Sequence, residues 1–341
     1  MKGGNNISKW FKMFVFVLVV FVLIFGSIGL ISIKISKKNY QKGREHQNST
    51  NCIQPFKNAK QVDDLTLLKR NANKQITPWG VKATIKRGLN IKNGVKVAIL
   101  DSGIKKNHPD LQNVVIKEFD AINSISSSKT EDVLGHGTAV AGIIAAQDNS
   151  IGVIGVNPDS ILYSVKVLDE KGKGTLESVV KGINWCIEQH VNIINISFGF
   201  KADSDMLRKT VNKAINSGII VVAAAGNNYI GNADFPARYK NVISVGSLDQ
   251  NYNLLNFSLK GKVDVVAPGK DILSTNIHNS YSLYNGTSMS AAFVTGLFSL
   301  LIGSGYDMTS HAKVMTTIKK KSISIKKLQC KSKYDYRMLI Y

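Results

Sequence analysis

The sequence predicts an α/β protein of three layers, αβα, with a central, mostly parallel sheet. Two observations carry this reading. Apolar, β-branched runs alternate along the chain with segments of helical periodicity, the pattern of a parallel sheet covered on both faces by helices. Chemistry-bearing residues also fall just past the strand-like runs, at Asp101 and Asn227. In such sheets functional groups gather beyond the carboxyl ends of the strands.

In chain order, residues 95–100 read as a strand that ends at Asp101. His136 sits in a glycine-flanked turn that leads into an apolar helix over 139–146. A strand over 161–167 precedes a helix at Leu176–Glu188, and Ile193–Ile196 precedes a helix over 205–217. Strands follow over 219–225 and 242–245, and a last helix begins at Ser288. Beyond Thr316 the chain is lysine-rich, with 336–341 the candidate for a final strand.

The region 75–341 has the length and apolar content of one α/β domain with a substantial core. Ahead of it stand a short basic segment, 1–10, and residues 11–33, almost unbroken Phe, Val, Leu, Ile and Gly. That length crosses a bilayer as a helix. An uncleaved single-pass anchor is expected, with a cleavable signal peptide as the rival. Lys34, Lys37, Lys38, Lys42 and Arg44 follow the span and lean against an outward C-terminus. Residues 75–341 are nonetheless expected outside the cytoplasm, at the membrane. Residues 34–74 read as a juxtamembrane linker or vestigial pro-segment.

The net charge of +21 is concentrated after the apolar run and in the tail. Basic blocks of this kind are solvated faces or attract anionic lipid and wall polymer. No aromatic-interleaved motif accompanies them, so no nucleic-acid partner is expected, and a monomer is. Cys52, Cys186 and Cys330 form no disulfide framework. Cys186 reads as a buried small hydrophobe.

Three segments carry the chemistry: Asp101-Ser102-Gly103, Gly135-His136-Gly137-Thr138 and Asn285-Gly286-Thr287-Ser288-Met289. A serine hydroxyl is a weak nucleophile until a histidine takes its proton. A buried carboxylate can fix that histidine's tautomer and stabilise its positive charge. Asp, His, Ser is one of three chain orders in which the triad occurs. With these motifs the chain resembles the subtilisin family of serine endopeptidases (peptidase family S8) from Gln75 onward, most densely over 95–294.

The resemblance implies a subtilisin-like fold and a polypeptide substrate, with Asp101, His136 and Ser288 as the triad. It implies that Asn227, in Ala223-Ala224-Ala225-Gly226-Asn227, donates to the oxyanion together with the Ser288 N–H. It places Ser197-Phe198-Gly199 and Gly172-Lys173-Gly174, by way of Gly172 and Gly174, on either side of an extended substrate, with Ala225 and Gly226 in the pocket wall. By alignment to Phe235-Pro236-Ala237-Arg238-Tyr239, Asp234 falls near the base of the pocket for the residue before the scissile bond. A carboxylate there would favour Arg or Lys; the alternative is that it points to solvent. Glu131 and Asp132 would add acidity nearby.

The resemblance also implies structural calcium. Asp110, in His108-Pro109-Asp110-Leu111, would give a carboxylate, Gln75 and Asn149 side-chain oxygens, and Gln147, Ile151 and Val153 carbonyls. Ala292 and Phe293 stand where the family usually has proline and histidine. Two readings follow: an anchored serine endopeptidase, with processing of a secreted precursor or leader peptide after a basic residue as its narrower form, or a catalytically silent, membrane-tethered peptide-binding protein on the same fold.

Overall fold

A computed structural model of the chain describes residues 68, 74–85, 94–124, 130–227, 232–255, 261–325 and 336–341. The expected span at 11–33, and 34–74 apart from residues 68 and 74, lie outside the described residues, as do Cys52 and Cys330.

A nine-stranded sheet forms the middle layer. Its strands are β1 (Lys96–Asp101), β2 (Val115–Asp120), β3 (Ile161–Lys166), β4 (Ile193–Ile196), β5 (Ile220–Ala224), β6 (Ile243–Leu248), β7 (Val265–Pro268), β10 (Ser322–Ser324) and β11 (Arg337–Leu339). The order is β10-β11-β7-β6-β5-β4-β1-β3-β2. All neighbours are parallel except the edge pair β10–β11. β8 (Ile272–Thr275) and β9 (Tyr281–Tyr284) make a separate antiparallel hairpin. The expected final strand is β11, which pairs in parallel with β7.

Strand β1 shows why the runs are apolar throughout. Its alternate residues point to opposite faces: Val97 and Ile99 join one core and Ala98 and Leu100 the other, all buried. The first core receives α1 (Trp79–Thr84), α2 (His136–Ala145), α5 (Thr287–Gly303) and α6 (His311–Lys320). The second receives α3 (Leu176–Glu188) and α4 (Asp205–Asn216). Cys186 lies in this second core, fully buried, and burial pushes its thiol pKa up.

Helix α5 is apolar on every side because it runs under β4, β5, β6 and β7 and also packs on α2. It begins at Thr287 rather than Ser288, and it is not the last helix. In α6, Val314 and Ile318, four residues apart, bury one face of an otherwise polar segment.

The expected membrane location needs correction. Among the described residues no helix is long and apolar enough to cross a membrane. The apolar helices α2 and α5 face protein, not lipid.

The helices differ at their starts. Thr175, Ser204 and Ser310 cap α3, α4 and α6 through their hydroxyls. Helices α2 and α5 are preceded by Gly135 (φ 89°) and Gly286 (φ 138°), without a side-chain cap. Their first-turn N–H groups are bound by residues from elsewhere, which are the residues of the site.

Phe293 in α5 is fully buried, and a Cβ on Gly80 would lie 2.3 Å from its ring. Phe293→Ala should lower unfolding free energy by about 3–5 kcal/mol, measurable by urea denaturation. A loss under about 1 kcal/mol would show that the ring fills no irreplaceable space.

Candidate active site

Asp101 ends β1 with its carboxylate fully buried. β3 and β4 flank β1, so the chain leaves the same sheet edge on both sides of Asp101. The loop after β1 is pressed against the first turn of α2. A Cβ on Gly137 would sit 2.1 Å from the Gly103 carbonyl, and one on Gly103 (φ 106°) 2.2 Å from that of Thr130. Glycine at both positions is what lets His136 reach Asp101.

His136 Nδ1 lies 2.8 and 2.9 Å from the two Asp101 oxygens. The Ser102 N–H also donates to Asp101 Oδ1 at 2.8 Å. Burial alone would lower the pKa of the imidazole. The Asp101 charge and hydrogen bond, with a smaller push from Asp132, outweigh it and hold the pKa above its ordinary 6.5. An acceptor at Nδ1 fixes the proton there in the neutral ring and leaves Nε2 as the basic nitrogen.

Ser288 is the second residue of α5 and is 8% exposed. Its hydroxyl donates to the Ser197 carbonyl at 2.7 Å. Ser197 in turn donates from Oγ to the Ser288 carbonyl at 3.2 Å and accepts from Asn195 Nδ2 at 2.8 Å. The loop after β4 therefore grips the turn that carries Ser288 directly. Asn227 lies three residues past the end of β5. Its Oδ1 accepts from the Thr287 N–H at 2.9 Å and the Thr287 hydroxyl at 3.0 Å. These bonds commit the oxygen and fix the amide nitrogen as the outward donor. Sequence reasoning passed over Thr287, because its partner is 60 residues away and no local pattern marks the pair.

The expected substrate residues gather along the same edge. Gly172 turns at φ 71°, and Gly174 bridges Leu168. The Ala225 carbonyl accepts from the Asp234 N–H at 3.0 Å. A Cβ on Gly199 would meet the Asp234 Cβ at 2.5 Å, while Phe200 beyond it bridges Phe235. Asp234 thus stands between Gly199 and the Ala225–Gly226 wall, with its side chain only 12% exposed. Its carboxylate is not left for a ligand alone, since Lys201 Nζ meets it at 2.9 and 3.2 Å. The other two acids are also engaged within the chain. Glu131 pairs with Lys105 at 2.5 Å, and Asp132 is buried.

The residues expected to hold calcium also converge. The Gln75 N–H donates to Ser150 and Ile76 bridges Val153, which docks the N-terminal arm on the loop. Gln75 Nε2 lies 2.5 Å from the Gln147 carbonyl, 3.3 Å from that of Val153 and 3.4 Å from Asn149 Oδ1. Asn149 Nδ2 and the Val153 N–H bind the two Asp110 oxygens at 3.2 and 2.9 Å. Ile151 belongs to the same loop, its N–H on Asn149 Oδ1. Among the described residues no three His, Cys, Asp or Glu side chains cluster as metal ligands. The set holds one carboxylate and several neutral oxygens, which fits calcium rather than a transition metal.

Residues 92–335 match the model of the subtilase family, peptidase family S8. The chain belongs to the subtilase family. Subtilisin Savinase of Lederbergia lenta is 42% identical over 233 residues, 67% of this chain and 84% of the relative. Subtilisin DY of Bacillus licheniformis is 41% identical over 252 residues, 70% and 89% of the two chains. A thermostable alkaline protease of Halalkalibacterium halodurans is 41% identical over 256 residues, 72% and 69%. This subtilase is accordingly a serine endopeptidase acting on polypeptides. With relatives that are subtilisins and alkaline proteases, and no spanning helix among the described residues, the membrane location is not retained.

The imidazole should titrate above 6.5, and Asp101→Asn should move it to lower pH because the charge favouring imidazolium is gone. Proton NMR of the ring would read both values. A pKa unmoved by Asp101→Asn would show that the pair does not govern the ring.

Proposed function

We propose that Asp101, His136 and Ser288 hydrolyse peptide bonds through an acyl-enzyme, with Asn227 Nδ2 and the Ser288 N–H receiving the oxyanion. The observation that carries this is the buried Asp101 carboxylate on His136 Nδ1 at 2.8 Å, on the edge from which α5 presents Ser288. The Ser288 hydroxyl leaves Ser197, gives its proton to His136 Nε2 and attacks the carbonyl carbon. His136 then passes that proton to the departing amine. Water, deprotonated by the same nitrogen, breaks the ester and returns Ser288 its proton. Glycine-bearing edges at Gly172–Gly174 and Ser197–Gly199 pair with the extended substrate.

Cleavage after a basic residue, and with it a leader-processing role, would draw on Asp234. Because Lys201 of the same chain already meets that carboxylate, the reading adopted is endopeptidase action without such a preference. A silent peptide-binding protein has no use for the bonds that fix His136 and Asn227.

A fluorophosphonate probe should label Ser288 at neutral pH, and His136→Ala should abolish the labelling. Asn227→Ala should lower kcat about a hundred- to a thousandfold with a much smaller change in KM. An unlabelled wild-type chain would establish the silent alternative.

Calcium would be held by Gln75, Asp110, Gln147, Asn149, Ile151 and Val153. When bound, it would tie the N-terminal arm to the loop and slow the opening that leads to unfolding and autolysis. Chelation should lower Tm and shorten the half-life, and added calcium should restore both. Asp110→Asn should remove the calcium dependence, whereas identical melting with chelator and with calcium would refute the site.

A further inference from the structure

Asp132 is a buried acid that the scheme above does not use. It is 2% exposed and accepts five hydrogen bonds. Oδ1 receives the Ser102 hydroxyl at 2.9 Å and the N–H groups of Leu134 and Gly135 at 3.0 and 2.8 Å. Oδ2 receives the N–H and hydroxyl of Thr138 at 2.9 and 2.6 Å. Its donors bracket His136 on both sides, so Asp132 substitutes for the side-chain cap that α2 lacks.

The more telling contact is Ser102. Its oxygen accepts from the Gly137 N–H at 3.1 Å. Its single proton has two carboxylates in reach, Asp132 Oδ1 at 2.9 Å and Asp101 Oδ1 at 3.2 Å. It can serve only one of them. The shorter contact directs it to Asp132, which turns the oxygen's lone pairs, not its proton, towards Asp101.

We infer that Asp132 is a positioning residue for the triad: it holds the turn that presents His136 and draws the Ser102 proton away from Asp101, leaving that carboxylate undiluted for His136 Nδ1–H. This rests on the reading of His136 as the general base. The other charged groups around the turn are already engaged. Lys166 donates to the Ser102 carbonyl at 2.7 Å, Lys105 pairs with Glu131, and Lys106 pairs with Glu118, which also accepts from Thr130. Tyr284 also feels the Asp132 charge.

The test is the pH profile of kcat/KM on a fluorogenic peptide, because its acid limb reports the base in the free enzyme. Removing Ser102 separates the two proton arrangements by sign. If the proton points to Asp132, Ser102→Ala takes lone-pair density from Asp101 and moves the limb to lower pH. If the proton points to Asp101, the same change strengthens that carboxylate and moves the limb to higher pH. A limb that rises or stays put in Ser102→Ala overturns the inference. Asp132→Asn should move the limb down further, with kcat lower by about tenfold or more and KM nearly unchanged. Lost kcat with an unmoved limb would mark Asp132 as a structural cap only. Should Asp132→Asn fail to fold, the sign in Ser102→Ala decides alone. His136→Ala separates the two levels. If it keeps wild-type activity, the base assignment fails and the Asp132 role falls with it. If it is inactive while neither variant moves the limb, only the Asp132 role falls.

Discussion

The arrangement depends on one constraint: a carboxylate with no contact to water at the end of a central strand. Burying an ionised group costs several kcal/mol unless hydrogen bonds and an opposite charge answer it. Asp101 is answered by the Ser102 N–H and by His136 Nδ1, and both demand exact backbone placement. The Ser102 N–H requires the chain to turn at once after β1. The imidazole requires the first turn of α2 to lie against that turn, with no side chain at Gly103 or Gly137. Pairing of β1 with β3 through to Asp101–Lys166 carries the Lys166 ammonium to the carbonyl of Ser102 and closes the ring of contacts.

Placing functional groups at the start of α2 and α5 carries a cost. The N-cap residue of each is a glycine, which offers no capping side chain, so the first-turn N–H groups have to be bound from elsewhere, by Ser102, Asp132 and Asn227. The offset comes from the helix bodies. In α5 alone Phe293, Leu297, Phe298, Leu300 and Leu301 are essentially excluded from water, at roughly 1.5–3 kcal/mol per side chain. The core therefore outweighs a local cap, worth about 1 kcal/mol, several times over. A polar helix of the same length could not carry Ser288 at its start so firmly.

This division explains what was legible in the sequence. β1, β3, β4 and β5 were readable because their residues face apolar cores on both sides. The Asp101–His136 pair was readable because the glycines that permit its close approach, Gly103 and Gly137, stand beside the two residues. What escaped was chemistry set by distant contacts. Asp132 looked like cleft acidity, yet its neighbours Leu134, Gly135 and Thr138 fold back over it. Asp234 looked like an open carboxylate, but Lys201 lies 33 residues upstream. The hairpin β8–β9 and helix α6 were also missed: the hairpin strands are only four residues each, and α6 lies in the lysine-rich end of the chain.

The resting bond between the Ser288 hydroxyl and the Ser197 carbonyl raises the question of whether the site holds back the hydroxyl proposed as its nucleophile. A neutral hydrogen bond contributes about 0.5–1.5 kcal/mol net, so breaking it slows attack by a factor of about ten at most. The acceleration typical of an enzyme corresponds to about 8–23 kcal/mol, which leaves that penalty minor. In return the bond keeps the hydroxyl inside the site and in one orientation. Its acceptor is itself pinned, because Thr295 of α5 donates to Asn195, and Asn195 to Ser197. That relay ties the end of β4 to the helix bearing Ser288 at a second point, one level below the reacting atoms. A substrate strand pairing with Ser197–Gly199 would therefore meet an edge whose position relative to Ser288 is already fixed.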